Sequence, residues 1–415
     1  MKKIHYSWLV CIGCTLVLFC TLGLGSSAFS LYQPYIISHG GLSNTQGSVV
    51  VTVRILFALC SMLFVEKYIK RTGIRWGVTI ACLGTSAAFA LFAVSSGFIS
   101  YSIAAAVSGI AYGLGGMVPV SVMINRWFSS HKSLALGLCS AGSGIATILA
   151  PPLFTSIIEN VSLAAAFMAE AGGVVLIALV VFALLRNDPQ AKGLTPLTSG
   201  ENPKRAVRRD LGGKPLQLNA FMMLAAILML GMLSNSGFAH LSVLYRTEGF
   251  DSATTALLIS FVGFAMTVGK CIYGQVVDRL GGYRASYIFF SLLVSGQILC
   301  CLAGNGSIVT AFAAMLCLGL GLPLSTVGLT VFAGDASSKE AYTKTIKLYQ
   351  TVYMTGMLVF GPFPGMIADQ TGSYVHAYML LVAFAAAAMI FVQAAYALAR
   401  RKARNEPVTG WAAGK

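Results

Sequence analysis

Twelve apolar runs, each long enough to cross a bilayer, leave this chain very few ways to fold. They lie near residues 8–35, 46–66, 76–96, 99–124, 133–157, 162–185, 217–242, 252–276, 285–303, 307–332, 345–368 and 374–398. A hydrocarbon core takes about 20 residues of helix to cross. Inside it every backbone N–H and C=O must find a partner within the protein, so only helices and closed barrels span. The runs lack the short alternation of barrel strands, so an all-α membrane protein with twelve transmembrane helices is expected. The composition, 57% hydrophobic and 10% charged, excludes a water-soluble domain of this size. The first run is too long for a signal-peptide core and has no convincing small-residue cleavage site, so it should stay as a membrane helix.

The ten cysteines lie almost entirely within the runs, where they pack as small apolar groups. Cys11 and Cys14 form a C-x-x-C pair without a second pair or a β-α-β setting, which argues against redox or zinc chemistry. With no phosphate loop, metal-ligand cluster or nucleophile and base, neither an enzyme nor a bound cofactor or metal is expected.

A net charge of +15 raises nucleic acid as a partner, but the basic residues sit between apolar runs and describe an orientation instead. Lys2, Lys3, Lys67 to Arg75, Arg126, Lys132, Arg186, the segment Lys204 to Lys214, Arg279, Arg284, Lys339, Lys344 and Arg400 to Arg404 all fall on one side. The opposite loops hold only Arg246, so both termini should be cytoplasmic, and the short loops suggest a bacterial inner membrane. Gly109, Gly113, Gly116, Gly137 and Gly142 stand at small-x-x-x-small spacings, better read as close packing within a monomer than as a dimer interface.

Asn187 to Pro215 is the one long polar stretch, rich in Pro, Gly and charge. It divides the chain into an N-terminal half (1–190), a cytoplasmic linker (191–215), a C-terminal half (216–400) and a tail (401–415). The halves echo each other. RTGIR at 71–75 answers DRLGGYR at 278–284, and Pro151-Pro152 answers Pro362 and Pro364, with offsets of 209 and 211. Two such halves around a central site suit alternating access.

Three charges lie well inside runs, away from their ends. Lys270 stands eight residues before Asp278, roughly 12 Å inside the membrane edge at the ~1.5 Å rise of a helix. A central Lys costs roughly 2.5–3.5 kcal/mol on insertion, so it should face protein or water and meet an anion; the competing reading is a side chain that snorkels to the surface. Arg54 is near the middle of the second run, either a second substrate contact or a structural donor to helix carbonyls. Glu170, in the sixth run, is either a proton-coupling acid or a structural carboxyl. Tyr32, Gln33, Tyr112, Asn235, His240, Tyr349 and Tyr353 could line a path. The i, i+4 pair Tyr349 and Tyr353 shares a face.

The segment G-Q-V-V-D-R-L-G-G-Y-R at 274–284 resembles the cytoplasmic loop signature of the major facilitator superfamily, through Gly274, Asp278, Arg279, Gly281 and Arg284. The first-half copy keeps Arg71, Gly73 and Arg75 but has Lys70 where the signature carries an acid. More narrowly, the segments at 125–144, 269–279 and 361–374 resemble the oxalate/formate antiporter and monocarboxylate transporter branch. In that branch a basic residue of the eighth helix, usually Arg, contacts the substrate carboxylate, and Lys270 occupies that place. The branch's second cation, in the eleventh helix, matches Gly356, and the acid one turn before the eighth-helix cation in proton-coupled animal relatives matches Met266. The resemblance implies a transporter of a small organic monocarboxylate, with protons or a counter-transported anion as coupling partner. Efflux of a larger amphipathic anion or drug, and a non-transporting carboxylate sensor, are the alternatives.

Overall fold

A computed structural model describes residues 5–128, 132–197, 218–338 and 341–405. Among these the chain is helical, apart from one isolated bridge between Phe128 and Leu197. The successive spans are α1 (Tyr6–Gly40), α2 (Asn44–Thr72), α3 (Ile74–Val94), α4 (Phe98–Trp127), α5 (Lys132–Asn160), α6 (Leu163–Leu184), α7 (Ala220–Ala239), α8 (Ser252–Val277), α9 (residues 282–300), α10 (Ile308–Ala336), α11 (Lys344–Thr371) and α12 (Val375–Asn405). Eleven of these helices are long and apolar enough to cross a membrane. The ninth expected run does not stand alone, because α8 and α9 form one continuous element bent at Gly281.

Local chemistry sets the helix ends. The side chains of Ser43, Ser162, Asp251 and Ser307 accept the amides of Gln46, Ala165, Thr254 and Thr310, so α2, α6, α8 and α10 are each capped by a polar residue where they start, at the end remote from the termini, whereas the N-cap of α4 is Gly97. The remaining irregularities fall inside spans. Residues Phe19–Ser27 of α1 form a π-helix followed by a 3-10 turn, α10 contains the turn Leu322–Ser325, and α11 breaks at Pro362.

Two large apolar cores form, one from residues between Val10 and Leu185, the other from residues between Met223 and Tyr396. A small third cluster of Val51, Ile55 and Ala239 joins them. The echo seen in the sequence recurs in the packing. A Cβ on Gly109 would strike the Arg54 carbonyl, and one on Gly319 would strike the Val262 carbonyl, so α4 lies on α2 as α10 lies on α8. Gly73 (φ 75°, ψ 156°) and Gly281 (φ 79°, ψ 163°) turn the chain between these helices and their successors in a conformation open essentially to glycine alone. Arg54 and Val262, like Gly73 and Gly281, are 208 residues apart, one fewer than Arg75 and Arg284 suggest, while Gly109 and Gly319 are 210 apart. Arg75 of α3 lies over Phe182 of α6, and Arg400 of α12 lies over Tyr283 of α9, the same contact with cation and ring exchanged.

The expected linker falls partly outside the described residues, as does the tail beyond residue 405.

Candidate functional site

The two groups of helices meet along α2 with α11 and α5 with α8. At the end remote from the termini they are joined closely. Asp369 of α11 bonds Asn44 and Thr45 of α2, Tyr374 donates to Asn44 Oδ1 at 3.2 Å, and Ser48 Oγ meets His240 Nε2 at 2.8 Å. His240 is fully buried, with Nδ1 3.0 Å from the Ser236 carbonyl and its ring stacked on Tyr374. A carbonyl can only accept, so Nδ1 carries hydrogen, and the Ser48 hydroxyl is bonded to the other ring nitrogen, Nε2. His240 is thus a joint between the groups.

Deeper in, α5 and α8 touch through small residues. Ser260 Oγ donates to the Ile148 carbonyl at 2.8 Å, a Cβ on Gly263 would meet Thr147, and one on Gly144 would meet Thr267. Lys270 lies one turn beyond Thr267 on the same side of the helix. Its side chain is half-buried, and its ammonium has no hydrogen bond or ion pair among the described residues. The ion pair seen among those residues is Arg126 with Asp188, at the surface.

Arg54 presents the opposite picture. It is 4% exposed, its Nη1 donates to the carbonyls of Gly25 at 2.8 Å and Ser26 at 3.3 Å, and its guanidinium lies 5.0 Å from the centre of the Phe29 ring. Both carbonyls belong to the π-helical part of α1.

Tyr353 of α11 faces Ser325 of α10 and Ser234 of α7, and lies within electrostatic range of Tyr112 of α4, which in turn neighbours Arg54. The Ser234 hydroxyl is buried without a hydrogen bond. Tyr112 and Tyr353 thus belong to opposite groups and are near enough to feel each other's charge. Tyr349, one turn away, is instead built into the second core near Tyr396.

Glu170 is 1% exposed and belongs to the first group alone. Its Oε2 accepts the Tyr32 hydroxyl at 2.6 Å and its Oε1 has no partner. Tyr32 is stacked on Phe167 with ring centres 4.4 Å apart. The adjacent Gln33 is buried with both side-chain polar atoms unpartnered.

The loop-motif residues lie at the termini end. Arg71, Arg279 and Arg284 are exposed. Arg75 donates its amide to Asn187 and its Nε to the Phe182 carbonyl, both at 2.9 Å. Gly274 has open space where a Cβ would stand. The side chains of Asn235 and Asp278 fall outside the described residues.

Two expected absences acquire a physical reason. A side chain on Gly356 would strike the Leu228 carbonyl of α7, so this point of α11 faces a neighbouring helix and has no space for a cation. Met266 is half-buried, with its backbone N against Gly319 of α10. Sequence reasoning missed Ser234, Ser325, Phe29 and Asp369. Small hydroxyl residues are common in membrane helices and give no signal by themselves. Asp369 stands within the segment 361–374, where it carries no signal beyond the resemblance.

Residues 15–361 and 249–413 match the family model described as Major Facilitator Superfamily. Monocarboxylate transporter 12 of Rattus norvegicus is 26% identical, with 90% of this chain and 82% of the relative covered. The agnestins efflux protein of Paecilomyces divaricatus is 24% identical, covering 96% and 88% respectively. Among solved structures, the nucleoside transporter NupG superposes with a TM-score of 0.74 at 12% identity, over 94% of this chain and 100% of that one. A bacterial homolog of the human lysosomal transporter Spinster, in an inward-facing and occupied conformation, superposes with a TM-score of 0.60 at 14% identity over the whole of both chains. With its helical bundle, its repeated packing and this match over most of its length, the chain is an integral membrane transporter and belongs to the Major Facilitator Superfamily.

Proposed function

We propose that this protein is a secondary transporter of a small organic monocarboxylate, which binds through its carboxylate to Lys270 and crosses as the two helical groups rock about the seam. The observation that carries the reading is the Lys270 ammonium, set within an apolar helix beside the α5–α8 contact and lacking an acidic partner among the described residues. A cation in that setting is costly unless an anion or water completes it. The likeness to the rat monocarboxylate transporter supports a monocarboxylate as that anion.

Lys presents a compact charge rather than the planar fork of Arg, so the carboxylate would be held by attraction with less control over its angle. Tyr112, Tyr353, Ser234 and Ser325 would offer hydroxyls to the remainder of the substrate. The expected orientation puts both termini in the cytoplasm, in a bacterial-type inner membrane. The joined end is then the outer one, and the conformation is inward-facing. In this reading the halves 1–190 and 216–400 move as units connected by the segment 191–215, and the protein acts as a monomer. Glu170, buried in α6, would be the acid that takes up a proton during the cycle, and exchange against a second anion is the other source of driving force.

Uptake by proteoliposomes tests this. Wild type should accumulate one or more short radiolabelled monocarboxylates, and Lys270→Gln should not. Equal uptake by both would remove Lys270 from the site. The fungal relative named as an efflux protein favours a second reading, export of a larger amphipathic anion, which would show as transport of bulky acids with short ones excluded.

A further inference from the structure

We propose that Asp369 is the latch that holds the two helical groups together at the end remote from the termini, by capping the N-terminus of α2 from α11. Its carboxylate accepts four hydrogen bonds: from Asn44 N at 3.0 Å, Asn44 Nδ2 at 3.0 Å, Thr45 N at 2.8 Å and Thr45 Oγ1 at 2.5 Å. The first amides of a helix have no partner within it, and the positive end of the helix dipole favours a carboxylate there. Part of this need is met inside α2, where Ser43 and Gln46 form a reciprocal capping box. The amides of Asn44 and Thr45 are left over, and the residue that takes them comes from the other group. The approach is close. A Cβ on Gly365, one turn before Asp369, would strike the Asn44 carbonyl and the Ser48 hydroxyl.

The matching corner of the molecule is built differently. At α8 the N-cap is Asp251, which accepts the Thr254 amide at 3.1 Å within its own helix. Glu159 of α5 stands 210 residues before Asp369, the spacing that also relates Gly109 to Gly319, and it makes no hydrogen bond among the described residues. Parting α5 from α8 therefore costs α8 no cap, whereas parting α2 from α11 strips the Asn44 and Thr45 amides of their acceptor and leaves α2 with its own capping box alone. The latch is on one side of the seam only. Asp369 is exposed, so water can take over its four bonds when the groups separate. That suits a contact broken in every cycle, since a buried charged pair would hold far more strongly.

The proposal requires only that this end opens; it does not depend on a carboxylate as substrate. Hydrogen–deuterium exchange on the full chain in nanodiscs, without added substrate, tests it. In Asp369→Asn, amides of residues 44–52 and of 357–372 should both exchange about tenfold faster than in wild type, with the termini ends of α5 and α8 no faster. Thr45→Val, which removes one of the four donors, should give the same pattern at smaller size, and serves alone if Asp369→Asn does not fold. Faster exchange confined to residues 44–47 would reduce Asp369 to a local cap and overturn the latch. So would no change in either variant.

Discussion

Arg54 and Lys270 are cations on helices that hold matching places in the two groups, α2 and α8, yet their surroundings differ in kind. Arg54 is enclosed, with two carbonyls of α1 and the face of Phe29 around its guanidinium. Lys270 is half-buried and has no partner among the described residues. The enclosure depends on α1. Where that helix widens into a π-helix at Phe19–Ser27, the carbonyls of Gly25 and Ser26 are turned toward a neighbouring donor. Nothing comparable faces Lys270. At the 208-residue offset its counterpart in the first group is Met62, so this charge has no echo. A satisfied cation holds a fold together, while an unsatisfied one keeps its capacity to bind something that arrives.

That contrast can be broken by substitution. The largest effect should come from Lys270→Gln. Removing one partner of a desolvated charge pair typically costs 2–5 kcal/mol, so carboxylate affinity should fall by roughly 30-fold or more, with Lys270→Arg keeping part of it. Isothermal titration against short carboxylates measures this. Next comes Arg54→Met, which strands two carbonyls and loses a ring contact. It should lower folding stability by about 2–3 kcal/mol in denaturant titrations while changing carboxylate affinity less than about threefold. A stable Arg54→Met protein that no longer binds would erase the distinction between the two cations.

Smaller effects sharpen the picture. Tyr353→Phe should raise the KM of uptake about fivefold, the worth of roughly one hydrogen bond, and Tyr349→Phe should leave it unchanged because Tyr349 belongs to the core. Glu170→Gln should leave carboxylate affinity within about twofold, since Glu170 is enclosed with Tyr32 inside the first group. If a proton drives transport through Glu170, the same variant should flatten the dependence of uptake on an imposed pH gradient.

Much of the architecture was legible because membrane helices announce themselves by length and hydropathy, and because a duplicated chain repeats its turns. The bend at Gly281 was visible in DRLGGYR as a motif, but its equivalence to Gly73 needed backbone angles. The site was less legible. A charge in an apolar run marks itself, which is why Lys270, Arg54 and Glu170 stood out. Whether such a charge is already satisfied depends on groups far away in sequence. The Gly25 carbonyl that holds Arg54 carries no side-chain signature, and the Tyr32 hydroxyl that meets Glu170 is 138 residues distant. The i, i+4 pair Tyr349 and Tyr353 shows the limit of helical periodicity. It placed both rings on one face, while Tyr349 is buried in the second core and Tyr353 packs against that core and also faces the serines of α7 and α10.

The central claim is that Lys270 is the open cation and Arg54 the closed one. The most direct test is the thermal stability of purified wild type, Lys270→Gln and Arg54→Met across a panel of short carboxylates, because a ligand that binds the folded state raises the melting temperature by mass action. At least one monocarboxylate should raise Tm for wild type and for Arg54→Met, from a lower starting point in the latter, and leave Lys270→Gln unmoved. Stabilisation of Lys270→Gln equal to that of wild type would contradict it.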